Sequence, residues 1–138
     1  MGLDVGTKTV GVAVADELGL TAQPITVVRR SSLKKDLADL LALARERSVD
    51  RFVVGLPLNM DGSEGPRAQA TRKFGDALAT ASGLPIIYQD ERLTTVAAER
   101  ALLEADMSRA RRREVIDQVA ATIILQGWLD AQPRSPHA

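Results

Sequence analysis

The sequence predicts an α/β domain built on a mixed five-stranded sheet with helices on both faces. Three observations carry this. The chain opens on an alternating hairpin; apolar runs of strand length then alternate with amphipathic stretches of helix length; and the last long apolar stretch, Val115 to Leu125, has the density of a buried helix. The resulting order is strand, strand, strand, helix, strand, helix, strand, helix, helix.

Each element has a local reason. Leu3 and Val5 flank Asp4 as apolar strand residues, and Gly6-Thr7-Lys8 reads as a tight turn. Val10, Val12 and Val14 then alternate with Thr9, Gly11 and Ala13, so the hairpin covers about residues 1–15. A third strand is expected near Ile25-Thr26-Val27-Val28, after a turn at Leu18-Gly19-Leu20. Ser31 or Ser32 caps a helix running to about Arg47, with Leu33, Leu37, Leu40, Leu41 and Ala44 on one face. Arg51 to Gly55 is a central strand, and residues 56–65 are a loop rich in turn-formers. A helix follows over Arg67 to Ser82, stopped by Gly83-Leu84-Pro85, then a strand over 86–90 and a helix over about 94–105. Residues 106–113 read as a basic linker and about 114–130 as the final helix. The domain is thus residues 1–131, and 132–138 form a polar, Pro-containing tail expected to be disordered.

Composition excludes several chemistries. A chain of 138 residues suits one domain with one core. It has no cysteine, so thiol nucleophiles, zinc–thiolate sites and disulfides are excluded. The single histidine, His137, lies in the tail, a poor place for a triad member or a metal ligand. Aromatic residues make up 3%, too few for broad base stacking, and the net charge of zero means that any surface for nucleic acid must come from local clustering. There is no signal peptide and no apolar run long enough to span a bilayer, which leaves a cytoplasmic location as the default and no membrane partner.

Three acids stand in unusual settings. Asp4 lies within a core-bound strand, where a carboxylate is costly unless paired, hydrogen-bonded or metal-bound; the plain alternative is an Asp that only bonds its own turn. Asp90-Glu91 follows the apolar run Leu84-Pro85-Ile86-Ile87-Tyr88 at a strand's carboxyl end, where ligands bind in α/β proteins; pairing with Arg92 is the alternative. Asp117 falls close to the apolar face of the last helix, aimed into a site or paired with Arg113 one turn back. Carboxylates that converge repel one another, and the usual compensation is a hard divalent cation held through oxygen. Two such cations activate a water and stabilise the leaving oxygen in phosphodiester hydrolysis.

Four segments together carry a family resemblance. Asp4-Val5-Gly6-Thr7-Lys8, the stretch Val54-Gly55-Leu56-Pro57-Leu58-Asn59-Met60-Asp61-Gly62-Ser63-Glu64-Gly65, Asp90-Glu91-Arg92-Leu93-Thr94-Thr95 and Ile116-Asp117-Gln118-Val119-Ala120-Ala121 stand in the order seen in the bacterial YqgF family, also called RuvX, which the chain resembles from residue 2 to about 130. The resemblance implies a ribonuclease-H-like fold. It implies the activity of a Holliday junction resolvase or of a nuclease processing the precursor of small-subunit ribosomal RNA. Carried over by motif, the acids are Asp4, Glu91 and Asp117, holding Mg²⁺ or Mn²⁺; Glu91 is preferred to Asp90 because adjacent strand residues face opposite sides. The family pattern has a few more residues ahead of the first motif, which puts the expected start upstream of Met1.

Substrate contacts are expected around these acids. Thr7 and Lys8 offer a hydroxyl, an ammonium and backbone N–H groups to a phosphate. Asn59 and Ser63 lie in a loop longer than a connector needs, and Arg92 and Thr94 follow the second acid. Arg109, Arg111, Arg112 and Arg113 fall within five residues and suit phosphate tracking, or else are solvated. The expected partner is nucleic acid, either a four-way DNA junction or precursor ribosomal RNA. Symmetric junction cleavage implies a homodimer, which RNA processing does not require. Two rivals remain: a non-catalytic nucleic-acid-binding or ribosome-assembly factor on the same fold, and an actin-like ATPase, for which the chain lacks the length of a second lobe.

Overall fold

The structure, a computed structural model, describes residues 1–106 and 109–133, with the backbone alone at Ala97, 104–106 and 109–114. Its five strands are β1 (Gly2–Val5), β2 (Thr9–Ala15), β3 (Ala22–Arg29), β4 (Phe52–Leu56) and β5 (Ile86–Asp90). The helices are α1 (Leu33–Glu46), α2 (Pro66–Ser82), α3 (Val96–Asp106) and α4 (Arg109–Ala131), with a 3₁₀ turn at Glu91–Leu93 before α3. The sheet order is β3-β2-β1-β4-β5. β2 runs antiparallel to β1 and β3, while β1, β4 and β5 run parallel, so the sheet is mixed, as expected. The carboxyl ends of β1, β4 and β5 therefore share one edge of the sheet.

Most boundaries follow the predicted causes. Ser32 caps α1, its side chain accepting from the Lys35 N–H. Pro66 opens α2 just inside its start, and Gly83 closes it in the left-handed conformation (φ 69°). β3 begins earlier than the expected 25–28: Pro24 pairs with Ala13 at a register shift, tolerable because β3 is an edge strand. The basic linker expected over 106–113 is corrected, since α4 begins at Arg109. Arginine and glutamate are good helix formers, and the run simply extends the last helix toward its N-terminus.

Alternation divides the sheet into two faces. Leu3 and Val5, Val10 and Val12, and Phe52 and Val54 pack with Leu40 and Ala44 of α1 and Phe74 and Leu78 of α2. The opposite face carries Ala13 and Val53 under Val96 of α3 and Ala120, Ala121, Ile124 and Leu125 of α4. That second face is floored with glycine. A Cβ on Gly2 would lie 2.9 Å from the Ala121 carbonyl oxygen, one on Gly11 2.0 Å from that of Asp117, and one on Gly55 2.3 Å from Ile124 Cδ1. The bare floor lets the α4 backbone lie directly on the sheet. Its buried line runs Ile116-Asp117, Ala120-Ala121, Ile124-Leu125, so Asp117 faces inward among apolar residues.

Candidate active site

Asp4 ends up on the α4 face of the central strand, opposite Gly11 in the β1–β2 ladder and 3% exposed. The turn after it is closed by Gly6 N–H donating to the Thr9 carbonyl (2.9 Å). Arg30 braces that turn, donating to the Gly6 carbonyl (2.7 Å) while its Nε pairs with buried Asp36 (3.3 Å). Glu91 is the first residue of the 3₁₀ turn at the end of β5, and it is buried beneath the gap that Gly55 leaves: a Cβ there would sit 3.4 Å from Glu91 Cγ. Asp117 comes in from α4, and its Oδ2 accepts a hydrogen bond from the Thr9 hydroxyl.

Arg100 of α3 joins the first two acids. One of its nitrogens, Nη2, donates to Asp4 Oδ1 at 2.7 Å and lies 3.1 Å from Glu91 Oε1. The second contact is within ion-pair range but is not a hydrogen bond, which leaves Glu91 Oε1 buried without one; Asp4 Oδ2, the oxygen that Arg100 does not bond, is likewise buried with no hydrogen bond. The electrostatics reflect crowding of like charge. Burial first, and then the Asp4 carboxylate, push Asp117 up to about 7, against the pull of Arg100 and Arg67. Burial also raises Glu91; Arg100 opposes that and Asp4 adds to it.

Asp90 has a different place. It caps the 3₁₀ turn, accepting from the Arg92 N–H (2.9 Å), and binds the Arg92 guanidinium through both oxygens, with Nη2 at 2.8 Å from Oδ2. Those bonds to Arg92 hold its carboxyl below the ordinary range. Arg92 also donates to the Met60 carbonyl (3.3 Å), tying the turn to the loop after β4. In that loop Asn59 Nδ2 donates to Ser63 Oγ (2.9 Å), and Ser63 Oγ donates to Asp61 (2.6 Å), so both expected contact residues are engaged within the loop. Thr94 turns inward, donating to the Glu91 carbonyl (2.9 Å) and accepting from the Val96 N–H (3.3 Å) at the start of α3. Thr7 and Lys8 are exposed on the turn between Asp4 and Thr9. The side chains of Arg109, Arg111, Arg112 and Arg113, and with them the pairing of Arg113 with Asp117, lie outside the described residues.

Thr9, Arg100 and Arg67 were not singled out from sequence. Thr9 had a signal, since it alternates with Val10 and so shares a face with Gly11 and Asp4. Arg100 had a weaker one, lying one helical turn after buried Val96.

The donor set suits a hard cation: the three acids offer oxygen alone, and two of those oxygens are buried without a hydrogen bond. Among the described residues no three acids or histidines are spaced as ligands of one ion. In this arrangement the Arg100 guanidinium takes the place between Asp4 and Glu91.

The model of the RuvX family, described as Holliday junction resolvase, matches residues 1–131. The chain belongs to the RuvX family. One relative, from Myxococcus xanthus, is 71% identical over 131 residues, spanning 95% of this chain and 87% of its own. A second, from Symbiobacterium thermophilum, is 62% identical over 135 residues, spanning 98% and 94%. Both carry the provisional name pre-16S rRNA nuclease. Among solved structures, Thermus thermophilus RuvC in complex with a Holliday junction substrate superposes with a TM-score of 0.58 at 17% identity, covering 94% of this chain and 92% of that one. This likeness shows that the RuvX chain has the fold of RuvC, which is ribonuclease-H-like.

Proposed function

We propose that the protein is a divalent-metal-dependent endonuclease, with Asp4, Glu91 and Asp117 as the metal-holding acids. The observation that carries this is the meeting of Asp4 of β1 and Glu91 at the end of β5 on a single guanidinium, each with a buried carboxylate oxygen that has no hydrogen bond, while the Asp4 carboxylate helps to raise the pKa of Asp117 on α4. A bound Mg²⁺ or Mn²⁺ supplies the charge that activates a water and stabilises the leaving oxygen of a phosphodiester. The chain's own part is placement. The Gly11 floor seats α4 so that Asp117 reaches Thr9, and the Asp90–Arg92 pair fixes the turn that buries Glu91. Thr7 and Lys8, exposed on the turn after Asp4, are the first candidates to meet a substrate phosphate.

The names of the relatives favour precursor 16S ribosomal RNA as substrate, and the family description favours a four-way DNA junction; the second requires two sites related by symmetry, hence a homodimer. No helix among the described residues is long and apolar enough to cross a membrane. The deciding experiment offers a precursor 16S ribosomal RNA, a four-way junction and linear duplex DNA to the pure protein with Mn²⁺. Cleavage of the RNA or the junction with the duplex spared supports the reading. Binding to any of them without cleavage supports a non-catalytic assembly factor instead.

A further inference from the structure

Arg100 lies outside the three acids that the nuclease reading uses, and its geometry is unusual for a structural salt bridge. Its side chain is 21% exposed, set against Asp4 and Glu91 side chains that are 5% and 9% exposed. Burying such a group is costly unless the charges satisfy one another fully. A guanidinium carries five N–H donors and ordinarily meets a carboxylate with two of them side by side. Arg92 does this with Asp90 at the edge of the site. Arg100 does not: a single Nη2 faces both acids, and Asp4 Oδ2 and Glu91 Oε1 are left without a hydrogen bond. What the acids receive from Arg100 is mainly one positive charge at a point between them. A divalent cation would take that same point, and two cations a few Å apart in a buried site repel strongly.

We propose that Arg100 is a positioning residue that holds Asp4 and Glu91 together as an internal counter-cation and yields their shared oxygens to a divalent ion, so that guanidinium and metal compete for one place. This rests on the reading of the acids as a metal site. Arg100 is suited to the exchange because it hangs on a long, unbranched stem from α3, a different element from those carrying the acids, so it can leave while the acids stay. It keeps the acids close when no metal is bound, at the expense of metal affinity.

The test is Mn²⁺ binding to the parent, Arg100→Gln and Arg100→Lys, followed by calorimetry, with thermal melts of each protein without metal. Arg100→Gln should bind Mn²⁺ about tenfold or more tighter than the parent and melt at a lower temperature without metal. Arg100→Lys keeps a charge but is a more strongly hydrated point charge, and should bind tighter by a smaller factor. A purely structural bridge predicts the opposite, weaker metal binding as the acids spread apart. Parent binding with equal or weaker binding by a folded Gln variant overturns the proposal. Should the Gln variant fail to fold, Lys decides, and binding no tighter than the parent overturns it. If neither the parent nor a folded Arg100 variant binds Mn²⁺, the metal-site reading itself fails, and this proposal with it.

Discussion

Asp90 and Glu91 are chemically alike and adjacent, and the fold gives them opposite tasks. Asp90 is committed to Arg92 at the site's edge, while Glu91 is buried against Arg100. Glu91→Gln should therefore lower cleavage by about 10²-fold or more, the size of losing one electrostatic stabiliser of a transition state. Asp90→Asn should cost much less, because Arg92 loses a charge partner but keeps an acceptor; parallel rate measurements decide, and an inactive Asp90→Asn beside an active Glu91→Gln contradicts the assignment. Asp117 carries a pH signature. Its pKa is raised in the fold from 3.8 to about 7, so the neutral form is the favoured one. The stability it contributes to the metal-free protein is present below about pH 4 and is lost as pH rises through 7. Asn at this position keeps an acceptor for Thr9 and cannot ionise. Metal-free Asp117→Asn should melt at or above the parent, and its advantage should widen from pH 4 to pH 7. A variant that melts below the parent across that range would make Asp117 a structural partner instead. Added Mn²⁺ should stabilise the parent more than the variant.

At the scale of elements, the acids depend on how closely α4 lies on the sheet. Gly11 faces the Asp117 backbone, which cannot move without the helix, whereas Gly55 faces the methyl end of Ile124, which can. Gly11→Ala should cost about 1–3 kcal/mol by overpacking and displace Asp117, lowering activity, and Gly55→Ala should cost less. Denaturant melts rank the two, and a silent Gly11→Ala would refute the glycine floor. The elements themselves were largely legible because their causes are local: Ser32 at the cap, Pro66 and Gly83 at the two ends of α2, Val10 and Val12 in alternation. The early start of β3 was hidden by Pro24, which argues against a strand until one knows the strand is at an edge. The arginine run read as a linker because its charge suggested solvent, while its helix propensity pointed the other way. In the site, Asp4, Glu91 and Asp117 were marked by their apolar surroundings. Arg100 was not, since an arginine beside Glu99 on a helix looks like a surface charge, and only the packing of α3 with α4 on that face of the sheet brings it to Asp4 and Glu91.

At the scale of the molecule, the site joins residues nearly the whole chain apart. Thr9 and Asp117 are 108 positions distant and Asp4 and Arg100 are 96, and the central strand, the end of β5 and the last helix must all be in place before the acids meet. The site is therefore a property of the complete domain, and no isolated hairpin or helix should show it. The central claim is that these three acids act as one metal-dependent centre. The direct measurement is Mn²⁺-dependent cleavage, under single-turnover conditions, of whichever structured substrate the parent cuts, compared across Asp4→Asn, Glu91→Gln and Asp117→Asn with folding checked by circular dichroism. Each variant should retain the fold and lose about 10²-fold or more in rate. Parent-like cleavage by any one of the three folded variants would contradict the account.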